Sequence, residues 1–79
     1  MFVMTHDGKQ ILQARCFRVE RTIGSKLGKF GIVIGCETAG METPVLSYFP
    51  DEASAIEEMK KVWAAMLAGE QYYRSEKSL

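Results

Sequence analysis

Between Phe49 and Gly69 the chain carries a helix that its own residues both start and stop. Pro50 keeps Phe49 extended. Asp51 stands where a carboxylate accepts the free N–H groups of a first turn and suits the positive end of a helix. Ile56, Met59, Val62, Trp63, Met66 and Leu67 then recur at the spacing of one helical face, and Gly69 ends the run. Everything before residue 49 is punctuated at strand length. A chain built this way reads as a small sheet covered by one helix that buries the apolar stripe.

The strand half reads as follows. Phe2-Val3-Met4-Thr5 is a short strand, and Asp7-Gly8 after it is a hairpin signal for a type I′ turn. From Gln10 to Ile23 the pattern alternates but changes phase: Leu12, Ala14 and Cys16 share one parity, Phe17, Val19 and Ile23 the other. A strand whose buried face switches sides needs a bulge or bend near Cys16-Phe17, so that it wraps a helix or passes between two sheet surfaces. Gly24 to Lys29 is a glycine-bracketed loop. Phe30 to Glu37 is the most strand-like run, with Phe30, Ile32, Ile34 and Cys36 on one face and the thin residues Gly31, Val33 and Gly35 on the other. Thr38-Ala39-Gly40-Met41 is a turn, and Pro44 to Phe49 is a last strand. The expected class is α+β: a bent antiparallel sheet of about four strands packed by one C-terminal helix. All 79 residues form one domain, with 1–49 β-rich, 51–69 helical and 70–79 a tail.

A domain of this length has a thin stability margin, since bare cores of such size supply roughly 3–5 kcal/mol. Cys16 and Cys36 are too few for a disulfide scaffold. They read as small buried apolar residues in a reducing compartment, with a single bridge as the alternative. Reinforcement by self-association is therefore expected, as a homodimer. The segment Met1 to Gly8 lacks the basic start and apolar core of a signal peptide, and no apolar run has membrane-spanning length. Both point to a soluble, cytoplasmic protein.

Reactive chemistry is poorly represented. Gly24-Ser25-Lys26-Leu27-Gly28-Lys29-Phe30 departs from a phosphate loop in its glycine spacing, in Phe30 after the lysine, and in leading to a strand. His6, Cys16 and Cys36 are scattered rather than paired as zinc ligands. A Cys36–His6 nucleophile would need contact and a third orienting group. Glu57-Glu58 and Asp51-Glu52 are successive helical carboxylates pointing in different directions and read as surface charge, with Lys60 and Lys61 each near Glu57 or Glu58 at helical spacing on the solvent side. Hence no catalytic residue, cofactor or metal is expected.

Charge is the remaining signal. Residues 1–36 carry six basic side chains against two acidic ones (+4), and residues 37–79 carry four basic against eight acidic (−4). Arg15, Arg18, Arg21, Lys26 and Lys29 fall within fifteen residues, with Phe17 among them and Phe30 directly after. Basic side chains beside aromatics on a sheet resemble a single-strand platform, which makes weak nucleic-acid binding the alternative function. The leading expectation is an interaction protein. Met59, Trp63, Met66, Tyr72 and Tyr73 offer more apolar surface than one small sheet needs, and such residues are enriched at interfaces.

The helix opening Phe49-x-Asp51-Glu52-x-x-Ala55, followed by Met59, Val62, Met66, Gly69 and Tyr72-Tyr73, resembles the end of short uncharacterised bacterial and phage-borne proteins. These have a β-rich first half and a C-terminal amphipathic helix. The resemblance covers about residues 48–73. It implies a phage or mobile-element origin and a small accessory role, and it carries no catalytic residue.

Overall fold

The computed structural model describes residues 1–35 and 44–75. Within them the element order is β1 (Phe2–Met4), β2 (Ile11–Gln13), β3 (Cys16–Arg21), β4 (Phe30–Gly35), β5 (Val45–Phe49), α1 (Glu52–Leu67) and β6 (Tyr72–Tyr73). The class is α+β with a C-terminal helix, as expected, but the strands form two sheets of three rather than one bent sheet. Their orders are β2-β1-β6 and β3-β4-β5. The predicted turn at Thr38-Ala39-Gly40-Met41, together with Cys36 and Glu37, lies outside the described residues.

The phase change in the second predicted strand is the point where the chain leaves one sheet for the other. β2 pairs antiparallel with β1, then Ala14 and Arg15 intervene, and β3 begins in the second sheet. At this corner the Ala14 N–H donates to the Met1 carbonyl at 2.9 Å and the Arg15 N–H to the Gly35 carbonyl at 2.7 Å. Successive backbone donors thus serve different sheets, which is why the buried parity reverses. The sheets meet again where the His6 N–H donates to the Val45 carbonyl at 3.0 Å.

The β1–β2 hairpin is not closed by a type I′ turn. That turn needs positive φ at both central residues, and only glycines have positive φ among the described residues. Gly8 (φ 71°) is the last residue of a Thr5-to-Gly8 turn, whose N–H reaches the Thr5 carbonyl at 2.9 Å. A second irregularity lies in β5. Ile32 opposes Ser47 while Val33 opposes Val45, so Leu46 is an extra, bulged residue. The bulge lets both Leu46 and Phe49 reach the interior.

The helix termini follow their sequence signals. Asp51 accepts the Ser54 N–H at 2.8 Å, satisfying one of the orphan donors of the first turn. At the other end the Gly69 N–H bonds the Met66 carbonyl and the Glu70 N–H the Ala65 carbonyl, both at 3.0 Å. This is the paired pattern that ends a helix on a left-handed glycine, here with φ 75° at Gly69. The chain then turns back, so that the Phe2 N–H donates to the Gln71 carbonyl and β6 lies parallel to β1. The tail segment Tyr72-Tyr73 is therefore part of the chain's own sheet.

The core consists of Val3, Leu12, Ile32, Ile34, Leu46, Phe49, Ala55 and Val62, with Phe17, Val19, Phe30, Met59 and Tyr73 packed around it. On the helix the buried residues are Ala55, Glu58 and Val62, a face turned away from the centre of the predicted stripe. Ala55, with no side chain beyond Cβ, lets the helix approach the sheet closely. Glu58 was expected on the solvent side beside Lys60 and Lys61; it is instead 3% exposed, and its carboxylate accepts the Tyr73 hydroxyl. Lys60 pairs with Glu57 at 3.2 Å on the solvent side. Cys16, expected to be buried, is exposed and free.

Removing a donor from a buried carboxylate costs more than the bond is worth, because the acceptor remains desolvated. Tyr73→Phe should lower stability by about 1–3 kcal/mol in urea unfolding. Combining it with Glu58→Met should recover part of that loss, since no buried polar group is then left without its partner.

Candidate interaction surface

With the core assigned, the apolar residues that stay outside it define the surface. In β1 and β2, Val3 and Leu12 point inward, so Phe2, Met4 and Ile11 share the outer face. In β6, Tyr73 turns toward Glu58 and Tyr72 turns out. The Tyr72 ring stacks on Phe2 with centroids 6.0 Å apart and 26° between planes. Together with Ile11, Met4 and Arg74 these rings line an open, mostly apolar groove of about 340 Å³. Three-stranded sheets commonly leave one face to solvent, but that face is ordinarily polar; here Tyr72 is 70% and Ile11 65% exposed.

A second apolar strip runs along the helix. Ile56, Trp63 and Leu67 lie roughly 80–120° around the axis from Ala55, flanking the buried face, with Met66 between them and the core. Trp63 is 62% exposed. Of the five residues expected at an interface, Trp63, Met66 and Tyr72 are exposed, whereas Met59 and Tyr73 are half-buried against the core. Tyr72 and Tyr73 point to opposite sides of β6, so the sequence-adjacent pair divides between surface and interior.

The basic residues do not gather. Arg15, Arg18, Arg21, Lys26 and Lys29 are all exposed, but Arg18 and Arg21 have opposite parity on β3 and emerge on opposite faces of the sheet. Arg18 pairs with Glu20 at 3.2 Å. Phe17 and Phe30, the rings a single strand would stack on, are packed against the core.

A polar cleft of about 150 Å³ lies where the two sheets meet, lined by Thr5, His6, Asp7, Gln10, Pro44, Val45 and Tyr48. His6 meets the Tyr48 ring edge-on at 4.8 Å. Asp7 is engaged by its own hairpin: one oxygen accepts the Thr5 hydroxyl at 2.7 Å and the Lys9 N–H at 3.0 Å. Its carboxylate acts as a turn brace. Among the described residues no three His, Cys, Asp or Glu side chains cluster as metal ligands. No helix there is long and apolar enough to cross a membrane.

No family model, curated protein or solved structure matches this chain. Sequence reasoning did not register the outer face of β1 and β2. The signal was present in the alternation itself: Phe2, Met4 and Ile11 are apolar at positions where a half-exposed strand carries polar residues.

Trp63→Ser should change unfolding stability by no more than about 0.5 kcal/mol, as for other exposed positions. Val62→Ala, one residue away on the buried face, should cost about 1–3 kcal/mol. The pair distinguishes the observed helix face from the predicted stripe. Asp7 and Asp51 are both held below their usual value of 3.8, Asp7 by the Lys9 N–H and then the Thr5 hydroxyl, Asp51 by the Ser54 N–H and then its hydroxyl. A carboxyl depressed on folding contributes stability that is fully present above its unfolded value, and loses it as pH falls through the folded value. Acid titration of the folded state should therefore show a loss starting near pH 4 and continuing below it, and Asp7→Asn with Asp51→Asn should flatten that limb.

Proposed function

We propose that this chain is a small, non-enzymatic cytoplasmic protein that works by self-association and protein–protein contact, an accessory protein of the kind bacterial and phage genomes carry. The observation that supports it is the apolar surface left over once the core is complete: the Phe2–Tyr72 stack with Ile11 on one sheet, and Ile56, Trp63 and Leu67 along the helix. Contiguous exposed apolar groups of this sort mark interaction sites on small soluble domains. A chain of 79 residues also gains more from association than a larger one, because its own core buries a smaller share of its surface. Nucleic-acid binding finds no comparable support, with the strand aromatics turned inward and the arginines divided between faces.

The test is light scattering on the purified protein, with and without a mixed-sequence single-stranded oligonucleotide at low salt. A mass above 8.9 kDa that rises with concentration and ignores the oligonucleotide is the expected result. A chain that stays monomeric, takes up the oligonucleotide and releases it as salt rises overturns the reading.

A further inference from the structure

Open sheet edges expose rows of unpaired N–H and C=O groups, and most edges in this protein are blunted. β2 is three residues long and β6 two. β5 is interrupted by the Leu46 bulge and has His6 bonded to its Val45 carbonyl. Short strands and bulges are the usual defences against edge pairing. β3 has neither. It is six residues long, contains no proline or lysine, and pairs with β4 through six consecutive positions without a register shift. Among the described residues no strand pairs with its other edge.

The backbone direction along that edge follows from the ladder. The Thr22 N–H donates to the Lys29 carbonyl at 2.8 Å, one step beyond the Arg21–Phe30 pair and in the same register. Residues that exchange backbone bonds in an antiparallel ladder recur at every second position. Glu20, Arg18 and Cys16 therefore direct their backbone groups toward β4, and Phe17, Val19 and Arg21 direct theirs to the open side.

We propose that β3 pairs antiparallel with β3 of a second copy of this chain, across a two-fold axis at Val19, joining two three-stranded sheets into one of six. This rests on the self-association part of the reading above and places the second copy on an edge distinct from the apolar sheet face and helix strip. Charge selects the register. With Val19 opposite its own counterpart, Phe17 and Arg21 exchange the flanking backbone bonds. Arg18 then lies opposite Glu20 of the second copy, and Glu20 opposite Arg18, at the non-bonded positions where side chains come closest. A shift that keeps the outward groups paired sets Arg18 against Arg18 in one direction, or Glu20 against Glu20 in the other. Both side chains are exposed, 65% and 45%, and within one chain they already pair with each other at 3.2 Å. Dimerisation exchanges that contact for two across the axis.

The experiment is sedimentation equilibrium on the full chain and on Arg18→Glu and Glu20→Arg, alone and mixed, with circular dichroism to verify folding. The wild type should approach twice 8.9 kDa with concentration. Each single variant, facing two like-charge pairs, should dimerise at least about tenfold more weakly. An equimolar mixture of the two should dimerise again, since one chain then presents two acidic and the other two basic groups. Hydrogen exchange on the wild type gives an answer that needs no variant. The amides of Phe17, Val19 and Arg21 should gain protection as concentration rises, while those of Arg18 and Glu20 are protected throughout. A wild type that is monomeric at all concentrations overturns both this inference and self-association. A dimer that persists in both single variants, or whose odd-numbered β3 amides stay unprotected, overturns edge pairing and leaves self-association standing.

Discussion

One helical face has to serve two sheets, and the rest of the structure depends on how it does so. Ala55 and Val62 lie in the common core with β3, β4 and β5, while Glu58 reaches the tyrosine of β6 in the other sheet. A carboxylate at 3% exposure is tolerated because a hydroxyl from the opposite layer satisfies it. That contact also sets the position of the chain after the helix. Once Tyr73 is turned inward to Glu58, strand alternation turns Tyr72 outward onto Phe2.

The division into two sheets has a covalent cause. β2 and β3 are nearly continuous, and the two residues between them hand their backbone donors to different partners, Ala14 to Met1 and Arg15 to Gly35. Bending one long strand at this point yields two small sheets with a shared interior, joined again on the other side by the bond from His6 to Val45. Among the described residues four edges result instead of two. Three are short or bulged, and the regular one is β3, with its alternating Arg18 and Glu20. Edge protection and core closure are thus linked through one corner.

Burial by the helix also determines what is left exposed. Because the core is completed by small or unexpected residues, Ala55 and Glu58, the larger apolar side chains Ile56, Trp63 and Leu67 stay outside it. A mixed surface follows: apolar on the outer side of β1, β2 and β6 and along one helix flank, charged on β3. The polar groups at the corner between the sheets are engaged locally, Asp7 as a turn brace and His6 against Tyr48.

The helix and its two caps, the break near Cys16, the core parity of Phe30, Ile32 and Ile34, and the class α+β were all determined by the sequence itself. Each depends on local periodicity or on a residue bonding within its own turn, and neither needs a distant partner to be legible. Tertiary structure alone decided the second sheet, the Leu46 bulge, the rotation of the helix, and the division of Tyr72 from Tyr73 between surface and core. Hydrophobic periodicity names which residues can be buried, but only the space available beneath the helix decides which are. At that spot a small alanine and a hydrogen-bonded glutamate fit, and a tryptophan does not.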